Sequence, residues 1–409
     1  MNNPDACGQT AKGLDSVVTA AVSRDGKSLY AAGSGDNAIV RFERDPNTGA
    51  LTPKGCIADA TSNPDGCAQT AKGLMSPYMI ALSRDGTSLY VAAGSPGTVV
   101  RFDRDTKSGA LTPKGCIAER GNNPEGCAQT ARGLSGADAI AVSTDGISVY
   151  VAGYNENAIA IFRRDMITGA LTPRGCIAER SDNLDDCPQT VAGGLEEPYY
   201  GSVAVSSDGR SVYGVGSAGT SIAIFKRNTT TGALQPKGCI ADSTNNPEGC
   251  THTANGLVNP YMVALSDDGT SAYAADPGAS GIVRFKRDTT TGGLTPRGCI
   301  ADPAHNVAGC GHTAPGLFGA SWVAVPSDGR SVYVAGQGSN AIVSFARDTS
   351  TGALKNRGCV ADPVNNPSNC ATTAPGLDGV QALALAHDGT SLYAPGSSDN
   401  ALVRFDRER

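Results

Sequence analysis

Histidine and tryptophan are scarce in this sequence, with four and one in 409 residues. Four histidines leave little for zinc sites built on paired imidazoles. No run of about 18 or more apolar residues occurs, the length a spanning helix needs, so no membrane span is expected. An excess of basic charge is also lacking. The formal net charge is −6, and Lys and Arg recur singly rather than in tracts. That argues against a phosphate-binding face and against nucleic acid as a partner. Helical periodicity is found nowhere. There is no P-loop, no dinucleotide fingerprint and no nucleophile elbow, and no cofactor or metal is expected. No secretory leader is visible either. The chain opens Met-Asn-Asn-Pro-Asp-Ala-Cys inside a repeat, so Met1 reads as an added start and the native leader as lying outside this sequence.

What is present is repetition. The cysteine of "CAQTAKGL" recurs as Cys7, Cys67, Cys127, Cys187, Cys250, Cys310 and Cys370. The period is 60 residues, with one interval of 63, which signals stacked supersecondary units. Each unit reads as four strands. "MIALSRDG" ends in an Asp-Gly turn, "SLYVAAG" is short and apolar, and "TVVRFDRD" alternates apolar and charged residues. A turn glycine such as Gly109 then leads into "ALTPKGCIAE". Four antiparallel strands repeated seven times predict an all-β fold, a seven-bladed β-propeller forming one domain over 1–409. The lone Trp322 removes support for repeats of the Trp-Asp type. Repeated Tyr (Tyr30, Tyr90, Tyr150, Tyr213, Tyr273, Tyr333, Tyr393) and Phe (Phe42, Phe102, Phe162, Phe225, Phe285, Phe345, Phe405) are assigned to the core. Asp25, Asp85, Asp145, Asp208, Asp268, Asp328 and Asp388 precede glycine and are assigned to turns.

Twelve of the thirteen cysteines form equally spaced pairs: Cys56/Cys67, Cys116/Cys127, Cys176/Cys187, Cys239/Cys250, Cys299/Cys310 and Cys359/Cys370. Each pair brackets a polar turn, and a local disulfide is expected in each, stabilising by roughly 3 kcal/mol. Metal binding is the alternative. Six such bridges point to a secreted, periplasmic or cell-surface protein. Cys7 is the odd one, since its repeat partner would lie before Met1 or beyond Arg409. The chain also stops at "ALVRFDRER". The last blade is therefore expected to lack its outer strand, which would lie N-terminal in the native protein or in a C-terminal tail.

The units "SLYVAAGSPGTVVRFDRDTKSGALT" and "SVYVAGYNENAIAIFRRDMITGALT" resemble the YVTN-type repeat of the lactonase-like seven-bladed propellers, the 6-phosphogluconolactonase-like superfamily. The resemblance implies the fold along the whole chain. It implies lactone hydrolysis only as an activity of relatives, because the shared residues are structural.

Seven aromatics stand outside the repeat: Tyr78, Tyr154, Tyr199, Tyr200, Tyr261, Phe318 and Trp322. Six precede a first strand and Tyr154 lies in the loop "YNEN", so all seven map to one face of a propeller. The three extra residues of the fourth repeat fall there too, around 193–202. One reading is an aromatic-rimmed mouth over the central channel, suited to a small molecule, glycan or protein ligand. Asp138, Glu156, Glu196, Glu197 and Gln381 would supply polar contacts. The other reading is plain loop packing. His252 and His312 replace a repeated glutamine and are read as hydrogen-bonding substitutes. A second function, lactone hydrolase or cyclase, would need Asp138 or Glu196 paired with a His or Arg. A third is a passive module in a surface assembly.

Overall fold

Local signals set the strands. In the first repeat, Asp25-Gly26 turns the chain: Gly26 has φ +69° and its amide reaches the Ser23 carbonyl at 2.8 Å. The flanking segments pair as Val22↔Leu29 and Leu29↔Phe42. Strands Val17–Val22, Ser28–Gly33, Ala38–Arg44 and Leu51–Asp59 thus form an antiparallel meander. The computed structural model describes residues 7–199 and 201–407 and repeats this meander in seven sheets. The chain is a seven-bladed β-propeller.

Six blades carry a strand that the sequence reading lacked. After the fourth strand the chain loops back and a segment such as Gln69–Ala71 pairs parallel to Ile57–Asp59. With two or three residues, such a strand is too short to display a period. The six expected disulfides close these loops, for example Cys56–Cys67 with Cα atoms 5.2 Å apart. Among the described residues the seventh sheet holds three strands, Ala384–Leu385, Ser391–Gly396 and Ala401–Asp406, as expected.

First strands of successive blades adjoin one another and so surround the axis. The core lies between blades. One cluster joins Tyr30, Ile39 and Ile57 of the first blade to Leu89, Phe102 and Leu111 of the second. Six of the seven repeated tyrosines are fully buried. Charge is buried beside them. The arginine at the end of the third strand, read from sequence as part of an exposed alternation, is enclosed: Arg44, Arg164 and Arg287 are among the largest fully buried side chains. Arg104 shows why. Its Nε donates to Tyr30 Oη at 2.7 Å and its Nη2 to Asp25 Oδ2 at 2.9 Å, both in the preceding blade. Tyr30 Oη in turn donates to the Gly109 carbonyl at 2.6 Å. The turn aspartates therefore serve twice, once in the turn and once as partners of a buried cation that needs them.

Candidate functional site

The loops before the first strands and those between second and third strands share one face. At its centre the first strands do not pair regularly. Their register slips between Val17 and Thr19, Pro77 and Met79, Ala137 and Ala139, and Ala320 and Trp322. Each slip leaves one bulged residue: Val18, Tyr78, Asp138 and Ser321. The same repeat position holds Gly201, Tyr261 and Gln381 in the other three blades. A bulge frees one residue from the ladder and re-aims its side chain. Seven residues of six types thus hold one repeat position around the axis.

Side chains of neighbouring blades pack together beside this ring. Trp322, in the sixth blade, is 9% exposed. Its six-membered ring reaches Gly201 in the fourth blade, where a Cβ would stand 3.2 Å from Trp322 Cζ3 and 2.9 Å from Met262 Cβ. Met262 Sδ lies 3.2 Å from the Val323 amide. Met79 packs against clusters on opposite sides of the ring. Trp322 is therefore largely buried, and the glycine at 201 makes its room.

The rim above is richest between the second and fifth blades. Tyr154 and Tyr199 meet edge to face with centroids 4.9 Å apart, and Tyr199 stacks on Tyr261 at 4.9 Å and 5°. All three rings are half-buried. Tyr78 and Asp138 converge over Gly94, where a Cβ would fall 2.6 Å from Tyr78 Cε2 and 3.1 Å from Asp138 Oδ1. Asp138 is 7% exposed, and burial alone pushes its carboxyl up to about 7. Burial, with Glu197, Tyr199 and Asp138 nearby, also raises the Tyr154 hydroxyl. Opposite, Gln337 Nε2 donates to Gln381 Oε1 at 3.3 Å.

Other candidates lie elsewhere. Glu196 is half-buried, and burial raises its carboxyl, followed by the charges of Glu179, Glu197 and Asp182. Those neighbours place it toward the third blade's disulfide loop. Glu156 is likewise raised to about 7 by burial and then by Asp185 and Glu119. Phe318 stacks on His305 at 3.9 Å, a packing contact away from the tyrosines. Tyr200 lies outside the described residues. Neither a histidine nor an arginine contributes to the state of Asp138. The sequence reading missed Gly94, Gly201, Met79 and Met262. Comparing the seven repeats at the bulge position, rather than counting aromatics, would have found the ring.

Comparison with known proteins agrees with this architecture. The family described as lactonase, 7-bladed beta-propeller matches residues 7–118. No curated protein matches the sequence significantly. A protein of Bacteroides uniformis proposed to be a 6-phosphogluconolactonase aligns at 15% identity over 96% of this chain and 92% of its own, with a TM-score of 0.65. The periplasmic gluconolactonase of Pseudomonas aeruginosa aligns at 19% identity over 86% of each chain, with a TM-score of 0.58. At these identities the likeness is one of fold. The chain is a seven-bladed β-propeller stapled by six local disulfides, and its residues 7–118 match the lactonase propeller family.

Proposed function

We propose that this propeller is an extracytoplasmic binding protein whose ligand is a sugar-sized cyclic molecule held at the channel mouth. The observation that carries the reading is the stacked Tyr199–Tyr261 pair, with Tyr154 edge-on, a few residues from a buried carboxyl poised near neutrality. Amphipathic rings offer a flat apolar surface while their hydroxyls stay wet. A protonated Asp138 would donate one hydrogen bond to a ligand oxygen, and Tyr78 and Gln381 would border the same mouth. The six disulfides support an oxidising compartment, and a periplasmic gluconolactonase shares the fold.

The state of Asp138 also favours a second reading. A carboxyl near neutrality can take a proton from water as that water attacks a lactone carbonyl, then return it to the ring oxygen as the C–O bond breaks. Calorimetric titration with aldonolactones, aldonates and monosaccharides, alongside pH-stat assay of D-glucono-1,5-lactone, separates the two. Binding weakened by Tyr199→Ala and Asp138→Asn without turnover above the spontaneous rate supports the first. Turnover abolished by Asp138→Asn supports the second. Binding indifferent to both substitutions contradicts both.

A further inference from the structure

The first strands have a second end, away from the bulges. The turn after each reads Ser-x-Asp-Gly in five blades, and Pro or Ala replaces the serine in the last two. The residue at x does not repeat: it is Arg24, Arg84, Thr144, Ser207, Asp267, Ser327 and His387 in chain order. First strands adjoin around the axis, so these seven positions ring it at the opposite end from Tyr78 and Asp138. Each position lies against the next blade. Arg84 Nη1 donates to the Thr144 carbonyl at 3.3 Å, and Ser327 Oγ to the His387 carbonyl at 3.4 Å. A Cβ at Gly209 would stand 2.9 Å from Thr144 Oγ1, and one at Gly269 3.3 Å from Ser207 Oγ.

The aspartate that follows x is committed to the fold: Asp25 pairs with Arg104, Asp85 with Arg164 and Asp388 with Arg44. The charges at x are not. Among the described residues Arg24 and Arg84 form no ion pair with a carboxylate, and Asp267 forms none with a cation, although all three are exposed. His387, in the seventh blade, shows that these charges converge. Burial lowers its imidazole first and Arg24 lowers it further, Asp267 and Asp388 act against them, and Arg84 lowers it again. One imidazole thus feels charges held at x in the first, second and fifth blades. Two guanidiniums from neighbouring blades present planar donor forks that match a carboxylate. Across the axis, Asp267 offers acceptors only, flanked by the hydroxyls of Ser207 and Ser327 in the fourth and sixth blades.

We propose that this ring is a second binding site, for a small carboxylate whose far end donates hydrogen bonds. Arg24 and Arg84 hold the carboxylate, and Asp267 with Ser207 and Ser327 receives the far hydroxyl or ammonium. The site is independent of the tyrosines at the other face.

The test is calorimetric titration of the full chain with hexanoate, 6-hydroxyhexanoate, 6-aminohexanoate and inorganic phosphate. These open-chain probes lack a ring for Tyr199 and Tyr261 to stack on. Saturable binding of the hydroxy or the amino acid is expected, about tenfold or more tighter than hexanoate, the effect of one hydrogen bond to a charged group. Whichever of the two binds identifies the donor. Arg24→Gln with Arg84→Gln should weaken binding tenfold or more, Asp267→Asn should remove the advantage over hexanoate, and Tyr199→Ala should change neither. The substituted side chains are exposed, so Tm should hold in all of these variants; if it falls in the double arginine variant, the Asp267→Asn comparison decides. No saturable binding of either acid, equal binding of hexanoate or phosphate, or affinity lost in Tyr199→Ala and kept in the arginine variant overturns the proposal.

Discussion

Arg44 Nε, in the first blade, donates to Tyr393 Oη, in the last, at 2.7 Å. Arg44 Nη1 also meets Asp388 Oδ2 at 2.9 Å, and Tyr393 Oη donates to the Gly49 carbonyl at 2.6 Å. The arginine contacts to tyrosine and aspartate recur at the other six junctions between blades, and the tyrosine-to-glycine contact at five of them. The ring closes between its first and last blades through the same side-chain clamp that repeats within it.

Arg44→Ala should therefore destabilise the fold by about 3–5 kcal/mol, because it takes the buried cation away from the partly buried Asp388 carboxylate and the Tyr393 hydroxyl at once. Arg164→Ala, in an interior clamp, should do the same. Arg44→Lys should recover little, since an ammonium cannot span Tyr393, Asp388 and Thr390 together. Thermal unfolding of the three variants checks this; an unchanged Tm for Arg44→Ala would remove the clamp from the stability argument.

Two kinds of aspartate should give opposite pH slopes. The clamp carboxylates are partly desolvated, yet serine, backbone and arginine hydrogen bonds hold them low, Asp85 to about 2 and Asp25 and Asp208 in the same direction. Their stabilisation is present above the unfolded value of 3.8 and is lost as pH falls through the folded values. Asp138 is the reverse case. Its folded value, about 7, lies above 3.8, so its contribution is full below about pH 4 and is lost as pH rises toward 7. The Tm of the wild type minus that of Asp138→Asn should fall across that window and then level off. A flat difference would mean Asp138 is not held protonated.

The packing of Trp322 on Gly201 gives a further contrast. Trp322→Ala should cost about 3–5 kcal/mol, as for other buried aromatic side chains. Gly201→Ala should also destabilise, because its φ is +71° and its Cβ would press on Met262 and Trp322. Tyr199→Ala should leave Tm nearly unchanged. If Trp322→Ala melts like the wild type, this side chain does not contribute to the core as its burial implies.

Blade number and disulfide pairing were legible because they are written seven times and six times at fixed spacing, and the short last blade because its repeat alone lacks the fourth segment. Tyr154, Tyr199 and Tyr261 were legible as exceptions to the repeat, and the fold does gather them. Trp322 was an exception too, but sequence carries no sign that Gly201 opens space for it across the axis. The Arg44–Tyr393 clamp was hidden differently. Its members repeat, yet an arginine in an alternating strand looks solvent-facing until the neighbouring blade is in place.

Trp322 packs against Gly201, two residues from Tyr199, and is the sole tryptophan, so its fluorescence can report on a ligand at the proposed mouth. The decisive titration adds D-glucono-1,5-lactone and cyclic monosaccharides at pH 6 to the wild type and to Tyr199→Ala. A saturable change in emission is expected in the wild type, weakened about tenfold or more in the variant, equivalent to about 1.4 kcal/mol or more of stacking. No saturable change with any of these compounds, or equal affinity in both proteins, would contradict a ligand site at the channel mouth.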